Sequence, residues 1–260
     1  MPEPSFALIT GASSGLGECF ARALAGRGRN LLLVARSADR LNELAVELRG
    51  LHGVAAEALP ADLAATGAAA ALRALLAEKR WAVDLLVNNA GFGARGEFAR
   101  LPLARQSQML DVNVRVLVEL THLLLPAMLE RRAGGLINVS STAAFQPVPY
   151  STMYSATKAF VLSFSMGLAE ELRGSGIAVV TLCPGGTKTN FFKAGNIDRP
   201  DLLGSLQPPE EVVSAALRAL DRGGGLVVPR LLNKAMVAVQ RLVPRSIPVK
   251  VAARMFKPEG

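Results

Sequence analysis

The sequence predicts a doubly wound α/β domain, in which one parallel sheet is covered by helices on both of its faces. Short apolar runs alternate with helical patterns along most of the chain, as parallel sheets require. The predicted strands are apolar at nearly every position, as expected for strands that are buried on both faces. A chain of 260 residues, 50% of them hydrophobic, is long enough for one such domain.

The predicted strands and helices follow one another without an internal repeat or a dividing linker. The longest irregular stretch, 184–208, is rich in Gly, Pro, Asn and Asp and follows a strand, at the end where ligands bind in such sheets. About seven strands are expected, at 6–10, 30–35, 54–59, 83–88, 136–140, 177–183 and 225–229. The helices are expected at 15–27, 39–50, 67–79, 103–131, 152–173 and 209–222.

The net charge of +8 is concentrated near the C-terminus. Residues 222–257 include eight basic residues and no acidic one, so the rest of the chain is balanced with 21 of each sign. This argues against nucleic-acid binding and for a special basic tail at 231–260, an extension of the 1–230 domain. The tail predicts an amphipathic helix that lies on an anionic membrane, covers the substrate cleft or packs on a neighbouring subunit. Its apolar residues at helical spacing are Leu231, Leu232, Ala235, Met236, Val239 and Leu242, followed by Ile247, Val251 and Met255.

The spacing of the cysteines and the composition of the first residues indicate the cellular compartment that we expect for this protein. Cys19 and Cys183 are far apart and have no metal-ligand spacing, so neither a disulfide framework nor a metal site is expected. The first predicted strand begins at Phe6, which leaves no room for a signal peptide. No uncharged apolar run reaches the roughly 18 residues of a spanning helix. We therefore expect a protein of the reducing cytoplasm.

A glycine-rich turn, Thr10-Gly-Ala-Ser-Ser-Gly-Leu-Gly17, joins the first strand to the first helix. Glycines let the backbone approach a diphosphate closely, and the helix N-terminus supplies free N–H groups and a positive dipole end. A turn that needs glycine for its geometry alone is the alternative, but the flanking strand and helix favour a dinucleotide site. The predicted cofactor contacts here are Gly11, Ser13, Ser14, Gly15, Leu16 and Gly17.

The end of the second strand indicates which dinucleotide binds. Ala35 offers no carboxylate for the ribose hydroxyls of NAD, and Arg36 follows it. A guanidinium pairs with a 2′-phosphate, and Ser37 and Arg40 could assist, so NADP is favoured over a merely solvated arginine. After the third strand, Asp62 and Leu63 lie near the adenine, or Asp62 caps a helix instead.

Tyr154 and Lys158 lie one helical turn apart on the same face. An isolated tyrosine has a pKa of about 10, and a nearby ammonium favours the phenolate and lowers that pKa. The hydroxyl of Ser141 beside the phenol could hold a carbonyl or alcohol oxygen. These three side chains could therefore move a proton to or from a substrate oxygen without a metal ion.

With these residues in place, the chain resembles the short-chain dehydrogenase/reductase family over residues 6–229. TGASSGLG is similar to the family's TGxxxGxG turn, and NNAG at 88–91 and PG at 184–185 are similar to two further motifs. LVNNAGFG and YSATKAFVLSFS also resemble a DltE-like subgroup of predicted bacterial short-chain reductases. The family's spacing selects Ser141 rather than Ser140. The residues that fit its catalytic tetrad are Asn113, Ser141, Tyr154 and Lys158.

The resemblance implies a Rossmann-fold NADP-binding catalytic domain in which NADPH delivers hydride to a carbonyl carbon. Tyr154 would protonate the oxygen, Ser141 would hold it, and Lys158 would lower the tyrosine pKa and bond the nicotinamide ribose. Asn113 would bend its helix and hold a water molecule linked to Lys158. A homodimer or homotetramer through the helices at 103–131 and 152–173 is also implied. Further implied cofactor contacts are Asn89, Ala90, Gly91, Pro184, Gly185 and either Thr187 or Thr189, because Thr187 stands where the family has a hydrophobic residue.

The residues around the predicted tetrad are mainly apolar, which favours an apolar ketone, aldehyde or alcohol as the substrate over a sugar. The basic tail suggests a narrower alternative, a reductase of long-chain 3-oxoacyl thioesters. A non-catalytic NADP-binding regulatory protein is an alternative of another class, since a fold alone does not give function. Candidate substrate contacts besides Ser141 are Phe92, Ala143, Phe145, Gln146, Val148, Phe191 and Phe192, although these aromatics could equally pack a lid onto the sheet.

Overall fold

The computed structural model describes residues 5–189, 191, 206–240 and 242–257. Within them, all strands are parallel and form one seven-stranded sheet in the order β3-β2-β1-β4-β5-β6-β7. The predicted fold class is therefore confirmed. The strands are β1 Ser5–Thr10, β2 Asn30–Ala35, β3 Ala56–Pro60, β4 Ala82–Asn88, β5 Gly134–Val139, β6 Ile177–Leu182 and β7 Gly224–Val227.

Helices connect the strands, and two more follow the last strand. The helix predicted at 103–131 is continuous but contains one wider π-helical turn, Asp111–Arg115, between α4 and α5. A short 3-10 turn, Thr142–Phe145, follows β5. The α-helices are α1 Gly15–Ala25, α2 Ala38–His52, α3 Ala68–Glu78, α4 Leu103–Leu110, α5 Val116–Arg131, α6 Thr152–Glu171, α7 Pro209–Leu220, α8 Leu231–Gln240 and α9 Ser246–Phe256.

The core lies in two layers, one on each face of the sheet. Successive strand residues point to opposite faces, so Leu31 and Leu33 of β2 join one layer while Leu32 and Val34 join the other. The first layer is completed by α1, α2 and α7, and the second by α3, α5 and the C-terminal end of α6. Burial on both faces explains why the strands are apolar throughout.

The stretch Leu103–Arg131 is long and apolar enough, by length and composition, to cross a membrane. In the fold, however, its side chains Leu120, Leu124 and Met128 are buried against the sheet. Core helices commonly have this composition, because an apolar stripe must pack on a sheet. We therefore interpret this stretch as part of the protein core.

Strand order reverses beside β1, which lies between β2 and β4. The connections leave the carboxyl ends of β1 and β4 in opposite directions, and this divergence opens the crevice in which such sheets bind ligands. Thr10 ties the two strand ends together, since its hydroxyl donates to Val87 O (3.2 Å) and accepts from the N–H groups of Asn89 and Ala90 (3.0 Å each). The crevice is therefore held by bonds across the sheet.

Candidate active site

The glycine-rich turn adopts a backbone path that larger residues disfavour. Gly11 and Gly15 have φ angles of +67° and +59°, in the left-handed region. A Cβ atom on Gly17 would lie 2.1 Å from Gly11 O and 2.6 Å from Asn89 Nδ2. The side chain of Asn89 in turn donates to Thr10 O (2.9 Å), so the turn is held against the end of β4. The close backbone approach that the sequence predicted is thus present at the start of α1.

A cavity of about 410 Å³ extends from this turn to Tyr154, along the carboxyl ends of the strands. Most of the predicted cofactor contacts line it. Gly17 lies beneath the turn rather than in the cavity wall, and Arg40 is exposed on α2 outside the lining. The predicted contacts in the lining are Gly11, Ser13, Ser14, Gly15, Leu16, Arg36, Ser37, Asp62, Leu63, Asn89, Ala90, Gly91, Pro184, Gly185, Thr187 and Thr189.

One end of the cavity lies between the ends of β2 and β3. Arg36 and Ser37 are exposed there, while Ala35 before them is buried and offers no carboxylate. Asp62 also lines this end, and its Oδ1 accepts a hydrogen bond from Ala64 N (3.0 Å). It therefore caps a local turn, whereas helix α3 begins later, with Gly67 as its N-cap. Asp62 therefore does not cap α3, so that alternative is wrong. Its position in the cavity wall agrees with the other alternative, a place near the adenine.

The other end of the cavity holds Ser141, Tyr154 and Lys158. Ser141 lies beside Tyr154, since its hydroxyl lowers the pKa of the phenol, and that hydroxyl accepts a hydrogen bond from Ala143 N (3.1 Å). The hydroxyl of Ser140 instead donates to the backbone oxygen of Lys158 (2.7 Å) and so holds α6 against the end of β5. The geometry therefore agrees with Ser141, rather than Ser140, as the serine beside the phenol.

Asn113 lies in the π-helical turn, behind the cavity wall. Its Oδ1 accepts from Phe92 N, and its Nδ2 donates to Phe92 O and to Thr157 Oγ1, each at 3.0 Å. The side chain thus joins the loop after β4 to α6. Its partner in α6, Thr157, lies three residues after Tyr154 and one before Lys158. In this structure Asn113 acts as a positioning residue, and the water molecule implied for it stays a prediction.

Burial sets the protonation of the catalytic pair. Desolvation raises the pKa of Tyr154 to about 12, although the Ser141 hydrogen bond opposes the rise. Desolvation also lowers the pKa of Lys158 to about 8. The Lys158 Nζ atom donates to Val139 O (2.8 Å) and lies 5.8 Å from the centre of the Tyr154 ring. Desolvation of the enclosed phenol is thus the largest influence on the pKa of Tyr154, and the lowering of that pKa by Lys158 stays a prediction.

This protonation pattern has a chemical consequence. Near neutral pH the Tyr154 phenol keeps its proton and most Lys158 side chains are cationic. A protonated phenol is the form that donates a proton to a carbonyl oxygen. Loss of that proton would be required before the phenol could accept one from an alcohol.

Four of the candidate substrate contacts line the cavity beside Ser141: Phe92, Ala143, Val148 and Phe191. The ring of Phe191 lies 5.4 Å from that of Tyr154, centre to centre. Phe145 and Gln146, which were predicted as substrate contacts, do not belong to the cavity lining. Phe145 packs with Cys183, Val228 and Val237 under α8 instead. Phe192 lies outside the described residues.

Sequence reasoning missed Phe256, a cavity-lining residue of the basic tail. Gln108 and Val112, in and just after α4, were also missed. No local sequence signal marked Phe256: it lies one helical turn after Ala252, whose burial at 2% exposure only the fold shows. The predicted stripe of Ile247, Val251 and Met255 is exposed instead.

Comparisons with known proteins give several matches that cover most of the chain. A family model described as short chain dehydrogenase matches residues 5–200. The ketoacyl reductase HetN of Nostoc sp. (strain PCC 7120) is 32% identical over 247 residues, which are 92% of this chain and 85% of that protein. A very-long-chain 3-oxoacyl-CoA reductase of Anas platyrhynchos is 34% identical, over 82% of this chain and 68% of that protein.

Among solved structures, a short-chain dehydrogenase from Sphingobium yanoikuyae in complex with NADPH is similar with a TM-score of 0.82 and 35% identity. The match covers 93% of this chain and 96% of that one. None of these matches tests the narrower resemblance to the DltE-like subgroup, which stays a prediction. The family model spans strands β1 to β6 and helix α6, and the matches to the two relatives cover 92% and 82% of this chain. This chain therefore belongs to the short-chain dehydrogenase family.

Proposed function

We propose that this protein is an NADP(H)-dependent oxidoreductase that interconverts a carbonyl group and an alcohol on an apolar substrate. One observation carries the proposal: a single cavity is lined both by the glycine-rich turn and by Ser141, Tyr154 and Lys158. A dinucleotide at the turn would thus share the cavity with an acid for a substrate oxygen. The filled tetrad argues against a non-catalytic regulatory protein.

The residues present fit NADP in two respects. The glycines of the turn leave room for a diphosphate, since side chains there would strain the backbone or collide with it. Beside the turn, the end of β2 presents the guanidinium of Arg36 and no carboxylate, as a 2′-phosphate prefers. When bound, NADPH supplies the hydride. The NADPH in the structure of the Sphingobium relative supports this assignment.

The protein's own part in the reaction is to hold and protonate the substrate oxygen. The Ser141 hydroxyl positions that oxygen beside the Tyr154 phenol, which donates its proton as the carbonyl is reduced. The cationic Lys158 in the same cavity stabilises the phenolate that results. Asn113 and Ser140 keep α6 and the neighbouring loop in register, so the distances between these groups are preorganised.

Apolar side chains around this pair favour an apolar substrate. Phe92, Val148, Phe191 and Phe256 contribute to the wall beside the catalytic hydroxyls. The relatives named as ketoacyl and very-long-chain 3-oxoacyl-CoA reductases support a carbonyl compound with a hydrocarbon part. The test is NADPH oxidation with a panel of apolar ketones, aldehydes and 3-oxoacyl thioesters. Absence of turnover across the panel, despite tight NADPH binding, would favour the regulatory alternative.

Replacing Arg36 by alanine should weaken NADPH binding by about ten- to a hundredfold, because a charge-assisted contact to the 2′-phosphate is lost. NADH, which lacks that phosphate, should bind as in the wild type. The measurement is the dissociation constant of each cofactor by fluorescence titration. Arg40→Ala is the matched control, since Arg40 lies outside the cavity lining. Equal losses for both cofactors would contradict the assigned role of Arg36.

A second candidate function is reduction of long-chain 3-oxoacyl thioesters at an anionic membrane surface. The predicted apolar stripe faces away from the protein body: Leu231, Leu232 and Leu242 are 82%, 78% and 83% exposed. We call the exposed apolar side chains of residues 231–257 the tail surface. Exposed basic residues accompany it, namely Lys234, Arg245, Lys250, Arg254 and Lys257.

The charge of the tail surface favours lipid over a second copy of this chain. A two-fold symmetric contact would place the same basic patch on both partners, and like charges facing each other cost free energy. An anionic lipid surface instead attracts the basic residues and takes up the apolar ones. The oligomer that we expect would use α5 and α6, where Phe160 and Met166 are exposed. We place the protein in the cytoplasm, with peripheral membrane contact in this second candidate.

Replacing Leu231, Leu232 and Leu242 together by serine should weaken binding to phosphatidylserine-containing vesicles by at least about tenfold, because buried apolar area drives such binding. Sedimentation with vesicles measures the effect, and turnover of a water-soluble ketone should be unchanged. The control exchanges two exposed apolar residues outside both the tail and the helices expected at a subunit interface, Val46 and Leu51, for serine. If the wild type does not bind vesicles, or binds neutral and anionic ones equally at low salt, the membrane candidate is wrong.

A further inference from the structure

The loop that follows β4 is fastened to the start of the catalytic helix α6. Within it, Ala94 O accepts from Ser151 Oγ (3.3 Å), and Gly96 N donates to Tyr150 O (2.8 Å). Tyr150 has a φ angle of +64°, which is uncommon for an aromatic residue and indicates that its surroundings hold it there. Arg95 lies between these two bonds, so its backbone is fixed only a few residues from Tyr154.

The Arg95 side chain reaches across to the end of the basic tail. Its Nε donates to Phe256 O (2.9 Å) and its Nη2 to Lys257 O (2.8 Å). The last carbonyls of a helix have no partner within the helix and form the negative end of its dipole, so a guanidinium binds well there. Among the described residues, no carboxylate forms an ion pair with Arg95. The guanidinium is therefore available to fasten α9.

Few residues of α9 are buried against the rest of the protein. Ala252 is its buried residue, whereas Val251 and Met255 are 51% and 39% exposed. Phe256, one turn after Ala252, lines the cavity together with Phe92, Val148 and Phe191. A helix with so little buried area depends strongly on single contacts for its position. The Arg95 contact thus decides where the Phe256 ring lies.

We propose that Phe256 selects substrates by size and that Arg95 is the positioning residue that holds it over the cavity. The proposal rests on the proposed function, because it assigns the substrate end of the same cavity. With Phe256 in place, the wall is closed on the tail side and compact apolar ketones are preferred. When the Arg95 contact is broken, the ring is withdrawn and a bulkier or longer substrate is admitted.

The test compares Phe256→Ala and Arg95→Ala with the wild type. The kcat/KM ratio of benzophenone to butanone should rise about tenfold in Phe256→Ala, as for other changes of pocket size. Arg95→Ala should shift the ratio in the same direction. Arg95→Lys should restore part of it, since an ammonium keeps the charge but lacks the planar fork of the guanidinium. The ratio of the dissociation constants of the two ketones, measured by calorimetry, should change in the same direction in both alanine variants. NADPH affinity should not change.

Hydrogen exchange gives a readout that does not depend on turnover. Amides of residues 246–257 should exchange at least about tenfold faster in Arg95→Ala, because charge-assisted bonds to the helix end are lost. The matched control is Arg100→Ala. Arg100 lies in the same loop, and its exposed guanidinium pairs with Glu97. Unchanged exchange in Arg95→Ala, or an unaltered size preference in Phe256→Ala, would overturn the proposal. A wild type without any turnover would instead reject the proposed function, and the exchange and calorimetric results would still decide this inference.

Discussion

Replacing Tyr154 by phenylalanine is expected to lower kcat by about 10²- to 10⁴-fold, the usual contribution of a positioned general acid. The substitution removes one oxygen atom and leaves the ring in place against Phe191. The described wall of the cavity then retains Ser141 as a hydroxyl beside the substrate oxygen, but an aliphatic hydroxyl is a much weaker acid than a phenol. The measurement is steady-state NADPH oxidation with the best substrate of the panel.

The other tyrosine supplies the matched control for this prediction. Tyr150→Phe removes the same hydroxyl group outside the cavity lining and should leave kcat within about twofold of the wild type. NADPH affinity should be retained in both variants, since the phenol hydroxyl acts on the substrate. A Tyr154→Phe enzyme with wild-type kcat would show that another group donates the proton, and the role of Tyr154 as the general acid would be wrong.

Replacing Gly17 by alanine is expected to destabilise the protein by about 3 kcal/mol and to abolish measurable NADPH binding. The new Cβ would lie 2.1 Å from Gly11 O, which belongs to the backbone and cannot rotate away. Relief requires a shift of the glycine-rich turn, and the turn is held by Asn89. Urea unfolding and NADPH titration measure the two effects.

Gly50→Ala is the matched control for this substitution. Gly50 lies in α2, and nothing stands within 4 Å of a Cβ atom added there. Alanine is favoured over glycine in a helix by roughly 1 kcal/mol, so this variant should be as stable as the wild type or slightly more stable. If Gly17→Ala unfolds at the same urea concentration as Gly50→Ala and binds NADPH normally, the close approach in the turn is not required.

Much of the candidate site could be predicted because its determinants are local in sequence. The strand–turn–helix order around Gly11 and Gly17 sets the phosphate end, and the spacing of Tyr154 and Lys158 sets one helical face. Each of these patterns is a short run whose geometry follows from backbone conformation alone. The distinction between Ser140 and Ser141 came from the family's spacing. The structure agrees with it, since the two hydroxyls point to different partners.

The misplaced residues depended on packing between distant segments. Phe145 follows the catalytic serine closely, yet it turns toward Val237 of α8. Phe256 is far from the tetrad in sequence, yet it enters the cavity because α9 returns to the loop that carries Arg95. No local pattern contains such a contact, since both partners look like ordinary surface residues in their own segments.

Local sequence patterns were enough to establish the fold class, the glycine-rich turn, the NADP preference that we propose from Arg36, and the candidate proton-transfer residues. Three-dimensional packing decided the protonation of Tyr154, whose pKa rises to about 12, and the tail's division into an exposed apolar face and one residue in the cavity. The physical reason is that periodicity and turn chemistry act over a few residues. Desolvation and side-chain packing instead depend on every segment that surrounds a group, wherever that segment lies in the chain.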